Sequence, residues 1–177
     1  MIRPWRRLRR FRRDEAGTAT TEFVIVAPVF FMLLLIGVDA GLVMTRQVML
    51  DRAVDVVVRD LRLGTLGSPT LDELRGRVCD HTVILPNCTT DMLIELRPVS
   101  TSAWNFPDTP PACIDRDAEI APVTTVTAGG GNDMMILRAC MIIEPLFPTT
   151  SWGLQLPLDA SGGFQLFALT SFVNEPR

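Results

Sequence analysis

The feature that most constrains this chain is an apolar run over residues 23–44. It holds 22 residues, and its only charged side chain is Asp39. As an α-helix the run would be about 33 Å long, which is enough to cross the ~30 Å hydrocarbon layer of a bilayer. Pro28 lies where a membrane helix tolerates a kink, and the spacing of Gly37 and Gly41 permits close approach of another helix. The run therefore predicts one membrane-spanning helix with a surface suited to helix pairing.

Charge is distributed unevenly on the two sides of this run. All 17 basic residues are arginines, and seven of them lie in residues 1–16 beside only two acids. From residue 18 to the end, ten arginines stand against eighteen acids, a formal net charge of −8. Arginines that flank a membrane helix are retained on the cytoplasmic side, which predicts a cytoplasmic N-terminus. The acidic remainder lacks the basic footprint of a nucleic-acid-binding protein, so no nucleic-acid partner is expected.

A helical pattern continues beyond the apolar run. Charged residues occupy most faces of this part of the helix. The apolar residues that recur on its remaining face are Val43, Leu50, Val54, Val57 and Leu61. One helix is therefore predicted from about residue 18 to residue 63, with an apolar first half in the membrane and an amphipathic second half outside it. Two glycines and a proline in residues 64–69 deny helical continuation and predict its end.

The rest of the chain has the pattern of a small α+β domain. A short helix is predicted over residues 70–79, because Thr70 and Glu73 form a capping box. Alternating segments predict three strands, at residues 91–99, 134–143 and 163–173. The segment from 100 to 132 is expected to be a loop region with a hairpin-like turn at 129–132. Short strands with long connections imply an antiparallel sheet, which the amphipathic half of the long helix would cover.

Four cysteines lie in the part predicted to be outside the cytoplasm: Cys79, Cys88, Cys113 and Cys140. Their even number suits two disulfides in an oxidising compartment. Three connectivities are possible, and sequence proximity favours Cys79 with Cys88 and Cys113 with Cys140. The competing interpretation is a zinc site formed by Cys79, His81 and Cys88, but it lacks a tight Cys-x-x-Cys pair. No metal site and no cofactor are expected.

A short motif joins the basic patch to the apolar run. Gly17 is followed five positions later by Glu22 and then by Phe23, just before a helix of membrane length. A small residue, a carboxylate and an aromatic in this arrangement resemble the processing motif of type IV prepilins. Together with Pro28 and the later acid at Asp39, the stretch is similar to the TadE-like pseudopilins of the tight-adherence (Tad, or Flp pilus) machinery. The final strand, closing on residues 174–176, is similar to the tail of many such proteins.

The resemblance implies a type IV pilin-like fold and the role of a minor pseudopilin. A prepilin peptidase would cleave between Gly17 and Thr18, and the product would act with other pilins or pseudopilins in a hetero-oligomer. The implied regions are a basic leader, a transmembrane helix and an extracytoplasmic α+β domain, over residues 1–17, 18–45 and 46–177. The implied helix-pairing residues are Glu22, Phe23, Pro28, Gly37, Asp39 and Gly41. The protein would cross the inner membrane once, with its domain in the periplasm.

The chemistry of three of these positions can be argued independently of the resemblance. Gly17 lets an extended backbone enter a protease site without a side chain. Glu22, at the membrane boundary, needs a cation, and the nearest one after cleavage is the new ammonium of Thr18, on the same or a neighbouring helix. Asp39 is expected near the outer end of the span, where a carboxylate reaches water, either as a boundary residue or as a partner contact.

Two other classes of protein stay open. An envelope enzyme is not expected, because His81 is the sole histidine and the chain has no Gly-x-Ser-x-Gly motif. A secreted or merely anchored structural domain is the second class, because Val38 and Ala40 satisfy a small-residue cleavage rule. The apolar segment before that site, residues 23–38, is slightly longer than the about 7 to 15 residues of a secretory signal. N-terminal sequencing separates these classes by a start at Thr18, Gly41 or Met1.

Overall fold

The computed structural model describes residues 18–104, 106–107, 109, 113–114, 122–147 and 162–176. Its helices are α1 (Thr18–Arg62), α2 (Leu71–Asp80) and α3 (Cys88–Asp91), and its strands are β1 (Leu93–Val99), β2 (Met134–Ile143) and β3 (Phe164–Val173). The strands form one antiparallel sheet in the order β1-β2-β3. The predicted α+β arrangement, a long helix on a small antiparallel sheet, is confirmed. The predicted leader, with Gly17, lies outside the described residues.

The amphipathic half of α1 forms one wall of the core. The five seam residues predicted from their spacing are all buried there: Val43, Leu50, Val54, Val57 and Leu61. They belong to one cluster with the inward side chains of the sheet, among them Leu96, Leu137 and Leu166. Burying a leucine side chain contributes about 1.5–3 kcal/mol. Packing of this seam, more than helix propensity, therefore holds α1 on the sheet.

Local chemistry ends α1 and begins α2 where the sequence indicates. Gly64 has a φ of 70°, the left-handed conformation that glycine adopts without strain. The amides of Gly64 and Thr65 donate to the carbonyls of Leu61 and Asp60, so two of the last carbonyls of the helix are satisfied in a Schellman arrangement. At the start of α2, Thr70 and Glu73 form both halves of the predicted capping box.

The outer face of the sheet carries a largely buried ion pair. Glu95 on β1 lies directly opposite Arg138 on β2. The guanidinium of Arg138 donates from Nε to Glu95 Oε2 at 2.8 Å and from Nη1 to the carbonyl of Thr109 at 2.6 Å. A third hydrogen bond joins Arg138 Nη2 to Glu95, and Arg97 Nε lies 3.4 Å from the other oxygen of the same carboxylate. The segment after β1 is thereby attached to the middle of the sheet.

The segment between β1 and β2 is not entirely a loop. Val126 forms an isolated parallel bridge with Leu96, with hydrogen bonds from Leu96 N to Thr125 O and from Thr127 N to Leu96 O. This bridge covers the middle of the free edge of β1, and the pattern of the sequence did not predict it. The short helix α3 was likewise not predicted, because four residues are too few to show a helical period.

Two disulfides staple the domain. Cys79 at the end of α2 is bonded to Cys88 at the start of α3, and Cys113 is bonded to Cys140 in β2. The Cα atoms are 5.7 Å and 5.1 Å apart, within the range that a disulfide spans. These are the two pairs that sequence proximity favours. Since Cys79 and Cys88 are joined to each other, neither offers a thiolate to a metal.

We expect Cys113→Ser to lower the free energy of unfolding by about 3.5 kcal/mol, because the bond it removes closes a loop of 27 residues. Cys140 should then react with an alkylating agent on unfolding, while Cys79 and Cys88 stay protected. Urea unfolding and mass spectrometry of the alkylated protein measure the two effects. Cys79→Ser is the matched control, with a smaller loss of about 2.5 kcal/mol for its shorter loop. Alkylation of all four cysteines in the unreduced wild type would contradict the pairing.

Candidate membrane and assembly surface of the long helix

The first half of α1 (residues 19–38, below called the apolar half) has almost no cover from the rest of the domain. Within the described residues, one helix is long and apolar enough to cross a membrane, Ala19–Arg62, and 6% of its most apolar window is buried. Large side chains point outward along this half, including Phe23, Val29 and Leu33. A helix with an apolar surface on all sides is stable only in an apolar environment, such as lipid or the apolar surface of another helix. The arrangement is compatible with a single-pass membrane anchor.

The first predicted pairing residues lie near the start of α1 and are accessible. The helix begins at Thr18, and the preceding residue, Gly17, lies outside the described part of the chain. Glu22 and Phe23 are both exposed. Glu22 follows Thr18 by one helical turn, so the two positions share a face of the helix. The Glu22 carboxylate makes no hydrogen bond or ion pair with any other described residue, and it is therefore available to a cation supplied after cleavage or by a neighbour.

The predicted pairing residues in the middle of the helix are also accessible. The helix continues without interruption through Pro28, whose ring removes one hydrogen bond to the carbonyl of Val24. A Cβ atom built on Gly37 or on Gly41 would meet nothing within 4 Å. Both glycines therefore lie on open helix surface, where the backbone of another helix can approach closely.

Asp39 corrects one expectation. Its carboxylate was expected to reach water at the outer end of the span, but the side chain is fully buried. Asp39 Oδ1 accepts a hydrogen bond from the amide of Leu146 at 3.2 Å, and Oδ2 accepts one from the amide of Phe147 at 3.4 Å. Both donors belong to the connection that follows β2. The carboxylate thus fastens this connection to α1, and a direct contact of Asp39 with a partner protein is not favoured.

The first two acids of α1 consequently have different surroundings. Glu22 and Asp39 are 17 residues apart, which is about 26 Å along a helix axis. Glu22 is exposed, whereas Asp39 is enclosed where the folded domain first covers the helix. The sequence predicted that the Asp39 carboxylate reaches water or contacts another protein, and it did not predict a partner within the chain. It could not identify the partner, because Leu146 is 107 residues away.

Asp39→Ala is expected to expose the amides of Leu146 and Phe147 and to destabilise this contact by about 1–3 kcal/mol, because two buried donors lose their acceptor. Hydrogen exchange of the full chain, followed by mass spectrometry, should show faster exchange at these amides. Asp39→Asn keeps one acceptor oxygen and should give an intermediate rate. Unchanged exchange in the alanine variant would show that other groups satisfy these amides.

The described surroundings of this helix offer no metal site. In the described ranges, no three His, Cys, Asp or Glu side chains are close enough together to hold a metal ion. His81 is exposed at the end of α2. The accessible chemistry of the surface is instead that of an apolar helix with one carboxylate near its start and two open glycines near its far end. Such a surface binds lipid or other helices.

Comparison with protein families decides the assignment of this segment. A family model described as TadE-like protein matches residues 17–59. Residues 17–59 are TadE-like. The TadE-like segment contains every predicted processing and pairing residue and ends within the amphipathic half of α1, so the predicted resemblance is confirmed over this range. No curated protein and no solved structure matches the chain.

The TadE-like match suggests a protein related to the Tad pilus, in a family of structural proteins rather than enzymes. It stops before α2, so the sheet, the disulfides and the tail lie outside it. In the structure the tail nevertheless has a defined role. The side chain of Asn174 donates to the carbonyls of Gly129 and Gly130, and the amide of Glu175 donates to the carbonyl of Arg62. The end of the chain thus joins the glycine turn to the end of α1.

Proposed function

We propose that the protein is a minor pseudopilin of the Tad (Flp) pilus assembly machinery. A prepilin peptidase would remove residues 1–17, and the mature chain would begin at Thr18 in the inner membrane with its domain in the periplasm. The observation that carries the proposal is the exposed apolar half of α1 within the TadE-like segment. An exposed apolar helix of this length is stable in a bilayer or among similar helices. A pilin occupies the first environment before assembly and the second after it.

The geometry supports a role in helix packing. The amphipathic half of α1 is fixed to the sheet by a buried seam, and two disulfides join α2 to α3 and Cys113 to strand β2. The domain therefore holds the apolar half in a defined direction, with Gly37 at its end and Gly41 one turn beyond both open on the helix surface. Neighbouring helices would approach closely at the two glycines, and the Glu22 carboxylate would pair with a Thr18 ammonium between them. These two contacts would determine how the helices align. Partners of this kind are other pilins or pseudopilins, and the assembly would be a hetero-oligomer.

The distribution of charge supports the orientation. Seven arginines precede the helix, and the part after residue 17 has a formal charge of −8. The positive-inside rule therefore keeps the leader in the cytoplasm, where the peptidase would act. The disulfide-bonded cysteines lie on the opposite side, in the oxidising periplasm.

Gly17→Arg tests the processing step. A bulky charged side chain at the residue before the scissile bond should block cleavage, leaving a species about 2 kDa heavier, the share of 17 residues in a 19.6 kDa chain. Membrane insertion should persist, because the apolar run is unchanged. Gel mobility and N-terminal sequencing of the membrane fraction measure both. Gly37→Arg is not a suitable control because it charges the span, so Gly76→Arg, in α2 where an added Cβ meets nothing within 4 Å, controls for an added arginine.

The alternative function is a single-pass anchored or secreted structural domain without a role in a pilus. A wild-type protein that begins at Met1 would favour the anchored domain, and one that begins at Gly41 the secreted domain. Either result, or equal mobility of wild type and Gly17→Arg, would contradict peptidase processing after Gly17.

A further inference from the structure

An exposed aromatic pair, Trp104 and Phe106, lies in the loop that follows strand β1. The side chains belong to residues that are 61% and 41% exposed. Their ring centroids are 6.1 Å apart and the ring planes differ by 23°, so the two rings are stacked on each other. Tryptophan is highly buried on average, and exposed aromatic rings are enriched where a protein binds another molecule. The aromatic pair is therefore a candidate binding site.

The backbone holds Trp104 in a conformation that a tryptophan rarely adopts. Its φ is 50°, in the left-handed region, whereas the other non-glycine residues with positive φ in the described chain are asparagines. Asparagine tolerates this region, but a bulky residue there is an outlier. The amide of Trp104 donates to the carbonyl of Ser100 at 2.8 Å, and the amide of Phe106 donates to the carbonyl of Trp104 at 2.8 Å. Such an outlier, fixed by hydrogen bonds on both sides, points to a functional constraint.

The aromatic pair lies at the end of the domain opposite the apolar half of α1. Strand β1 ends at Val99, and the register of the sheet places this end level with the end of β3. The amide of Glu175, just after β3, donates to the carbonyl of Arg62, the last residue of α1. The hydrogen bond to Ser100 keeps Trp104 next to the end of β1. Lipid around the apolar half therefore does not account for the exposed rings.

The segment around the rings offers hydroxyl groups and no charge. Residues 98–107 contain no acidic or basic side chain. The hydroxyls of Ser100 and Ser102 are 2.9 Å apart, and both residues are exposed. Hydroxyls donate and accept hydrogen bonds without a charge, and the formal charge of −8 after residue 17 disfavours an anionic ligand. The ligand that fits this loop is therefore neutral and polar.

The arrangement of the two rings distinguishes between classes of neutral ligand. Proline-rich peptides dock into grooves lined by aromatic rings. Here the rings are stacked on each other, so no slot for a proline ring remains between them. The surface that stays open is flat, on the side of the Trp104 indole that faces away from Phe106. The C–H groups on one side of a hexose ring are its positive edge and fit the negative face of an aromatic ring.

We propose that the aromatic pair binds a neutral polysaccharide through the open face of the Trp104 indole. One hexose ring stacks on the indole, Phe106 supports the indole from its other side, and the hydroxyls of residues 100–102 bind sugar hydroxyls. Stacking on one ring is weak for a single sugar, so the expected ligand is a polymer that offers many rings. The inference goes beyond the proposed function, and it requires neither cleavage after Gly17 nor a pilus.

Retention on polysaccharide beads tests the site. The full chain, in a detergent without a sugar headgroup, is applied to chitin and to cellulose, which are both neutral polymers of β-linked hexoses. Trp104→Gly removes the indole, and the loop should keep its backbone because glycine adopts the left-handed φ without strain. We expect the association constant of this variant to be roughly tenfold lower on the polymer that retains the wild type. Trp104→Phe keeps an aromatic face and should lose less.

Leu63→Ala is the matched control, because Leu63 is a 50% exposed apolar residue just after the end of α1 and outside the loop. This variant should be retained like the wild type. Equal retention of Trp104→Gly and wild type would overturn the site, and stronger retention on dextran sulfate than on both neutral polymers would overturn the neutral ligand. If neither chitin nor cellulose retains the wild type, the polysaccharide is wrong. Loss of co-purified proteins from Trp104→Gly would then assign the aromatic pair to a protein contact instead.

Discussion

Replacing Glu95 by alanine is expected to lower the free energy of unfolding of the domain by about 3–5 kcal/mol. Glu95 and Arg138 form an ion pair whose side chains are 14% and 8% exposed. Removal of the carboxylate leaves the Arg138 guanidinium largely buried and bonded only to the carbonyl of Thr109 among the described residues. An uncompensated charge in that position costs far more than the intact pair contributes. Urea unfolding of the full chain in detergent measures the change.

Arg62 and Glu175 provide the matched control. They form an ion pair at 3.5 Å with side chains that are 58% and 49% exposed. Glu175→Ala should therefore change the stability by less than about 1 kcal/mol, because water solvates both partners and screens their attraction. A double variant, Glu95→Met with Arg138→Met, should recover most of the loss, since apolar residues of similar size replace both charges. If Glu95→Ala and Glu175→Ala had equal effects, burial of the first pair would not matter.

The other large effect is expected for Glu22→Gln, which should reduce pilus production and the co-purification of partner pseudopilins by about tenfold or more. Under the proposed function, cleavage creates an ammonium at Thr18, and the Glu22 carboxylate one turn later compensates it on the same or a neighbouring helix. Glutamine keeps the size and much of the hydrogen bonding but leaves the cation uncompensated in a partly apolar setting. Cleavage and membrane insertion should continue, which separates this effect from that of Gly17→Arg.

Glu144→Gln is the control for removal of an acid elsewhere in the chain, because Glu144 is exposed after β2. Immunoblots of the membrane fraction, sheared pili and affinity-purified complexes measure processing, fibre and partners in the same strains. A Glu22→Gln protein that is cleaved, resident in the membrane and fully piliated would eliminate the pairing mechanism. The TadE-like assignment would survive that result, because it rests on residues 17–59 as a whole.

Under the proposed function, the two halves of α1 would connect one folded domain to both the membrane and the assembly. The buried seam transmits the orientation of the disulfide-bonded sheet to the apolar half, whose own side chains contact nothing else in the described chain over most of their surface. The contact of Asp39 with the connection after β2 adds a second attachment at the level where helix and domain meet.

Features with a local physical cause were determined by the sequence alone. The span and seam of α1 follow from side-chain periodicity, its end follows from Gly64, and the start of α2 follows from the pair Thr70 and Glu73. Strand β2 was predicted at its observed bounds, and the other two strands within two residues, because alternation and turn residues are both local signals. The motif around Gly17 is also contiguous, and cleavage there stays a prediction.

Features that depend on residues far apart in the chain were decided by the tertiary structure. The burial of Asp39 depends on amides 107 and 108 residues away, and the pair of Glu95 with Arg138 depends on strands 43 residues apart. The parallel bridge of Val126 to Leu96 has the same origin. A sequence pattern shows that a charge in an apolar run or a strand needs a partner. Only the packed chain shows which group satisfies it, because that partner is selected by proximity in space.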